Sequence, residues 1–136
     1  MSGQAEDLHP HVDKALEYAR AVAAGEIAAG KYARAACRRH LDELDRLEDE
    51  DFTYRFEPEL GERVCRFIEK LPHIRGVWAK RRERIRLEPW QCFCLVVPFG
   101  WVRKEDGLRR FSETYLEVAR KNAKSTLSAG VALYML

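Results

Sequence analysis

The residues best suited to chemistry are Lys124 and Ser125, which end the segment VARKNAKS at residues 118–125. Between a strand and a helix, such a pair can bind nucleotide phosphates. Amides of the loop and of the helix N-terminus face the anion, the lysine neutralises the outer phosphates and the hydroxyl reaches magnesium. Compared with the pattern G-x-x-x-x-G-K-S/T, both glycines are missing, because Val118 and Ala123 occupy their positions. The motif alone is therefore weak, and the elements around it must support the prediction.

Four helices are predicted before this loop, from apolar residues that recur every three or four positions. Their ranges are Val12 to Ala23, Lys31 to Leu47, Leu60 to Leu71, and Pro89 to a break at Pro98-Phe99-Gly100. A proline at the first helical position favours a start of the third helix at Glu57-Pro58 and of the fourth at Pro89. The segment LEDEDFTYRFEPE between the second and third helices is predicted to be a loop, with a solvated acidic surface from Asp42 to Asp51.

A short strand is predicted directly before the phosphate loop. Residues Phe111 to Ala119 alternate in hydrophobicity and include the β-favouring residues Thr114, Tyr115 and Val118. The segment from Leu127 to Leu136 is apolar on nearly every face, which predicts a buried helix. A parallel strand followed by a helix needs neighbouring strands that the rest of the sequence does not contain. We therefore expect a mainly α chain that ends inside an α/β domain.

Composition narrows the class of protein. The chain has 136 residues, 46% of them hydrophobic, which suits one globular domain or one small domain plus a fragment. Its formal net charge of +2 gives no global electrostatic case for nucleic acid. No stretch approaches the roughly 18 consecutive apolar residues of a membrane span, and the N-terminus is polar, so we expect no membrane association and a cytosolic protein. The cysteines are predicted to be reduced thiols, and the histidines lack metal-ligand spacing.

Five segments, taken in order, resemble the N-terminal part of the large terminase subunit of tailed bacteriophages and prophages, the ATPase and nuclease that packages DNA into capsids. They read YARAVAAGEIAAGKYARAACRRHLDEL, FIEKLPHIRGVWA, LEPWQ at 87–91, LVVPFGW at 95–101 and RRFSETYLEVARKNAKST at 109–126. The resemblance extends from about Tyr18 to Leu136. It implies a helical N-terminal region at residues 1–86 and the truncated start of a P-loop α/β ATPase domain at residues 87–136. That second part would hold the glutamine motif, the first strand, the phosphate loop and the following helix.

The resemblance also implies roles for single residues. Lys124 would contact the β- and γ-phosphates, Ser125 would reach Mg²⁺, and Arg120 would approach the γ-phosphate, so that Lys124 and Arg120 are the catalytic pair. Gln91 matches the glutamine that recognises adenine, since an amide both donates to and accepts from the adenine edge. The remaining nucleotide contacts implied in the loop are those of Lys121, Asn122, Ala123 and Thr126.

Ala123 departs from the family's loop, which commonly reads RKNGKS. A glycine there lets backbone amides approach phosphate without a Cβ in the way. We therefore predict weaker nucleotide binding than the family's usual loop gives. The substitution Ala123→Gly should raise the affinity for ATP in a titration, and an unchanged affinity would count against the idea.

The function implied is that of a fragment of an ATP-driven packaging motor and endonuclease from a phage or prophage. The apolar strand ending in Asp-Glu and the nuclease aspartate cluster are absent from these 136 residues, so we expect the chain alone to be inactive. For the parent enzyme the resemblance implies ATP and Mg²⁺ as cofactors. It implies double-stranded viral DNA, the portal protein, the small terminase subunit and further copies of the same chain as partners, in the cytoplasm of a bacterial host.

The alternative is a small non-enzymatic helical protein that binds DNA or takes part in assembly. It would use the basic segment 80–86, which holds Lys80, Arg81, Arg82, Arg84 and Arg86. Such a segment can contact phosphates or can simply be a solvated surface beside a helix. This reading predicts DNA binding that weakens with salt.

Overall fold

The computed structural model describes residues 8–72, 84–116 and 124–136. Within these ranges the chain forms five helices and one two-stranded sheet, so the expectation of a mainly α fold is confirmed. The elements are α1 (Pro10–Ala23), α2 (Lys31–Leu44), β1 (Tyr54–Phe56), α3 (Pro58–Glu69), α4 (Pro89–Gly100), β2 (Trp101–Arg103) and α5 (Lys124–Tyr134).

Helices α1 and α2 begin close to their predicted starts. Pro10 is at the first position of α1. A backbone N–H at that position has no hydrogen-bond partner within the helix, so a proline costs no hydrogen bond there. Helix α2 ends at Leu44, before the predicted end at Leu47. The chain then continues in tight turns, in which Asp45 donates to the carbonyl of Asp42. Both helices pack against each other, and α1 also packs along α4.

Helix α4 lies at the centre of the bundle, between α1 and α3. The break predicted at Pro98-Phe99-Gly100 is wrong, because α4 continues through Pro98 to Gly100. Pro98 removes one helical hydrogen bond, but the helix is buried on several faces through Leu95, Val96 and Val97. Packing of those residues compensates for the lost bond.

The sheet corrects two predictions. Tyr54–Phe56, predicted as loop, forms β1, which pairs antiparallel with β2 so that Phe56 is opposite Trp101. The alternating aromatic residues Phe52, Tyr54 and Phe56 were the sequence signal for this strand. Conversely, residues 111–116 of the strand predicted from Phe111 to Ala119 form no strand, and residues 117–119 lie outside the described residues. The alternating pattern of residues 111–116 favours a strand, but propensity alone does not form one, because the backbone groups also need a partner strand.

An aromatic cluster fills the space between α2, α4 and the sheet. Trp101 is 1% exposed, and its indole Nε1 donates to Nδ1 of the buried His40 at 3.0 Å. The His40 ring also lies edge-on to Phe56 and Phe93, with centroid separations of 5.3 and 5.8 Å. This cluster joins the sheet to the helices.

Candidate nucleotide-binding site

Helices α3 and α4 run antiparallel. Near the start of α3, Gly61 lies so close to α4 that a methyl group placed on it would be 3.2 Å from the Cα of Val96. At the end of α3, the carboxylate of Glu69 accepts a hydrogen bond from the amide of Leu87, two residues before α4 begins, at 2.8 Å. The start of α4 is therefore beside the end of α3.

Helix α5 also runs antiparallel to α3. Gly130 faces Ile68 near the end of α3, where an added methyl group would lie 3.1 Å from the Ile68 Cγ1. Further along α5, the Tyr134 ring is 5.3 Å from that of Phe67 and lines one cavity with Leu60, near the start of α3. Since α4 and α5 both run antiparallel to α3, they run in the same direction. Both begin at the end of the bundle where α3 ends.

That end of the bundle holds the described part of the predicted phosphate-binding segment. Helix α5 begins at Lys124, so Lys124, Ser125 and Thr126 form its first turn. The loop residues Arg120, Lys121, Asn122 and Ala123 lie outside the described residues. The helix predicted after the loop is present, but it is not buried on every side: Leu127 is 6% exposed, whereas Leu133, Met135 and Leu136 are at least half exposed.

A cavity of about 250 Å³ separates α4 from α5 one turn further into the bundle. It is lined by Cys94, Leu95, Pro98, Phe99, Thr114, Leu116, Leu127, Ser128 and Val131. Most of these side chains are apolar, so the cavity itself does not suit a triphosphate. Polar and charged groups are found at the helix starts instead.

Gln91 is in the first turn of α4 and is 7% exposed. Its Oε1 accepts a hydrogen bond from the amide of Glu88 at 2.8 Å, which forms half of a reciprocal capping box with Glu88. The pattern Glu-x-x-Gln before an apolar run was a local signal for this cap. Trp90, half-buried beside it, donates from Nε1 to the Glu88 carboxylate at 2.9 Å. Both side chains thus have structural roles at the start of α4.

A buried charged cluster connects α1 to the same end of the bundle. The ring of His11 lies between two carboxylates of α3: Nδ1 contacts Glu62, and Nε2 is 2.7 Å from Glu69. Glu62 is fully buried and also accepts from the backbone amides of His11 and Val12, at 2.8 and 3.1 Å. Glu62 therefore caps the N-terminus of α1 from a neighbouring helix.

The two carboxylates change the acidity of His11. Burial alone lowers the pKa of the imidazole, but hydrogen bonds and charge attraction from Glu62 and Glu69 outweigh it and raise the pKa above its ordinary value. The protonated ring can then donate to both carboxylates. The sequence analysis did not identify this cluster. Glu62 and Glu69 are seven residues apart on one face of α3, but that spacing does not reveal a partner about 50 residues earlier.

Only part of the basic segment 80–86, which the alternative DNA-binding function would use, lies within the described residues. Residues 80–83 lie outside the described residues, while Arg84 and Arg86 are exposed and alternate with the buried Ile85 and Leu87. Within residues 8–72, 84–116 and 124–136, no three or more His, Cys, Asp or Glu side chains are grouped to hold a metal ion. The helices in those ranges are too short or too polar to cross a membrane.

The C-terminal part of the described chain holds a helix that carries Gln91 and a parallel helix that begins with Lys-Ser-Thr. Residues 89–136 match the family model of the terminase large subunit, ATPase domain. The predicted relationship to the terminase large subunit is therefore confirmed for about a third of the chain. The resemblance of the segments before residue 89 stays a prediction. No curated protein matches the chain, and no solved structure does either.

Proposed function

We propose that the chain binds ATP with Mg²⁺ at the end of the bundle where α4 and α5 begin, as the ATPase domain of a terminase motor would. The observation that carries this proposal is the common direction of α4 and α5, which brings Gln91 and the turn at Lys124 to the same end. The family match over residues 89–136 gives independent support, because it includes both Gln91 and Lys124.

The first turn of α5 is suited to an anion. The initial N–H groups of a helix have no partner within it, and the helix dipole favours negative charge there. In the proposed site, Lys124 neutralises the β- and γ-phosphates and Arg120 contacts the γ-phosphate. Ser125 supplies a hydroxyl oxygen, a ligand type that Mg²⁺ prefers, and Thr126 contacts the nucleotide. Lys121, Asn122 and Ala123 contribute backbone amides.

Gln91 is proposed to read the adenine base. Its Oε1 is held by the amide of Glu88, which fixes the plane of the side-chain amide. A carbonyl oxygen has a second lone pair and the amide nitrogen has two protons, so the fixed group can still accept from and donate to one adenine edge. Holding a recognition group in place before binding lowers the entropic cost of binding.

Hydrolysis is not expected from this chain by itself. Orienting the attacking water and holding the metal take carboxylates, and residues 118–136 contain none. We therefore expect ATP to bind without turnover. By analogy with the family, the parent enzyme's partners would be double-stranded DNA, the portal protein, the small terminase subunit and further copies of the chain, in a bacterial cytoplasm.

The test is a titration of the full chain with Mg-ATP, comparing Lys124→Ala with Lys31→Ala. Lys31 is a matched control because it is also the first residue of a helix. Loss of the phosphate-binding lysine should weaken ATP binding by about tenfold or more, equivalent to at least ~1.4 kcal/mol. Lys31→Ala should bind as the wild type does. Equal weakening by both substitutions, or a wild type that does not bind, would refute the proposal.

A further inference from the structure

We infer that Glu69, held by His11, is a positioning residue that fixes the turn carrying Gln91. This inference rests on the proposed function, because it assigns Glu69 a part in adenine selectivity. It goes beyond that function by linking α3, and through His11 also α1, to base recognition. The argument depends on one carboxylate that bonds two distant segments at once.

The first step is how Glu69 is held. Its Oε1 is 2.7 Å from His11 Nε2, and the other nitrogen of that ring contacts the buried Glu62. Glu62 also accepts from two backbone amides at the start of α1. Hydrogen bonds between charged groups are roughly twice as strong as neutral ones. The cluster therefore fixes the Glu69 carboxylate between α1 and α3.

The second step is what Glu69 holds. Its Oε2 accepts from the amide of Leu87 at 2.8 Å, and Leu87 is 4% exposed. The next amide, that of Glu88, donates to Gln91 Oε1. Two consecutive backbone amides thus donate to side chains of different helices. Leu87 donates to Glu69 of α3, and Glu88 donates to Gln91 of α4. A shift of Leu87 must move Glu88, and with it the group that orients Gln91.

The third step is how this role differs from general stabilisation. A carboxylate that only stabilised the bundle would affect binding of every nucleotide equally. One that positions Gln91 should affect the preference for adenine over guanine, while contacts to the phosphates stay the same. The ratio of the dissociation constants for ATP and GTP therefore separates the two roles.

The experiment uses the full chain with Glu69→Ala, Glu69→Gln and the control Glu59→Ala. Glu59 is a matched control because it lies in the first turn of the same helix, where its carboxylate contacts His9 at 3.1 Å. Amide hydrogen exchange at Leu87 and Glu88 is measured together with the affinities for Mg-ATP and Mg-GTP. Glu69→Ala should speed exchange at both amides by about tenfold or more. It should also reduce the preference for ATP over GTP to nearly one, with little change in GTP affinity.

Glu69→Gln keeps an oxygen that can accept from Leu87 but loses the charge, so both effects should be intermediate. If Glu69→Ala does not fold, the comparison of Glu69→Gln with the control Glu59→Ala decides the question. Unchanged exchange at Leu87 and Glu88 would overturn the inference, and so would equal losses of ATP and GTP affinity. A wild type that binds neither nucleotide refutes the proposed function and the selectivity role with it. Exchange would then still decide whether Glu69 holds the turn.

Discussion

His40 is a histidine that the fold keeps neutral. It is 2% exposed, its Nδ1 accepts from the indole of Trp101, and three aromatic rings surround it edge-on. Burial is the main cause that lowers its pKa from 6.5 to about 4; the nearby Glu43 opposes the shift and Arg39 adds to it. If Nδ1 of His40 carried a proton, its N–H would face the indole N–H of Trp101, and neither donor would have an acceptor. His40 is therefore a packed aromatic residue with one fixed hydrogen bond.

The depressed pKa of His40 predicts a loss of stability in acid. Between pH 6.5 and about 4 the unfolded chain binds a proton that the folded chain does not, so stability falls as the pH falls through this window. The full effect is on the order of 3 kcal/mol, since each pKa unit is about 1.4 kcal/mol. His40→Asn keeps an acceptor for Trp101 but does not titrate.

Urea denaturation of the wild type and of His40→Asn at pH 7 and pH 4 measures this effect. The variant should be less stable at pH 7, because it loses ring packing, and should lose less stability than the wild type on acidification. Identical losses for the two proteins would show that His40 is not the titrating group.

At the scale of elements, the approach of α3 to α4 depends on Gly61. A side chain at this position would meet not only the Val96 side chain but also its Cα and carbonyl oxygen, both at 3.2 Å. Backbone atoms cannot move aside as a side chain can. At Gly130, where α5 meets α3, the close atoms belong to the side chain of Ile68 alone. The two glycines therefore differ in what surrounds them.

Gly61→Ala should destabilise the protein more than Gly130→Ala. Alanine gains up to about 1 kcal/mol of helix propensity at both sites, whereas overpacking a buried contact costs about 1–3 kcal/mol. We expect a net loss of about 1–2 kcal/mol for Gly61→Ala and a smaller change for Gly130→Ala. Thermal unfolding followed by circular dichroism compares the two. Equal stabilities of the two variants would mean that the backbone contact at Gly61 is accommodated as easily as the side-chain contact at Gly130.

At the scale of the whole molecule, the cluster of His11, Glu62 and Glu69 joins the N-terminal helix to the part of the chain that matches the terminase family. Glu62 caps α1, and Glu69 bonds the segment before α4. When protonated, the imidazole between them offsets the charge of the buried Glu62 and the half-buried Glu69. Arg66, whose Nε lies 3.6 Å from Glu62, is a second positive group there. We therefore expect the stability of this junction to depend in part on the protonation of His11.

The raised pKa of His11 predicts that stability falls in mild alkali. Its folded value lies above the ordinary 6.5, so the contribution is complete below pH 6.5 and is lost as the pH rises through the folded value. Urea midpoints between pH 6 and pH 9 should fall for the wild type. For His11→Gln they should be lower at pH 6 and depend less on pH. A wild-type decline that persists unchanged in His11→Gln would assign it to another group.

The sequence by itself determined the local elements and the family relationship. Apolar spacing and prolines at first positions located α1, α3 and the start of α4, because helix periodicity and caps are encoded within a few residues. The order of the segments around Gln91 and Lys124 indicated the terminase relationship over residues 89–136. Only the tertiary structure decided that Tyr54–Phe56 pairs with Trp101–Arg103, and that α4 and α5 begin at one end.

It also decided that Glu62, a charged residue that would ordinarily be solvated, is buried against His11. The partners in these contacts are about 50 residues apart, so no local pattern reports them. A buried carboxylate is stable only where a partner meets it, and that condition is met only when the whole chain is folded.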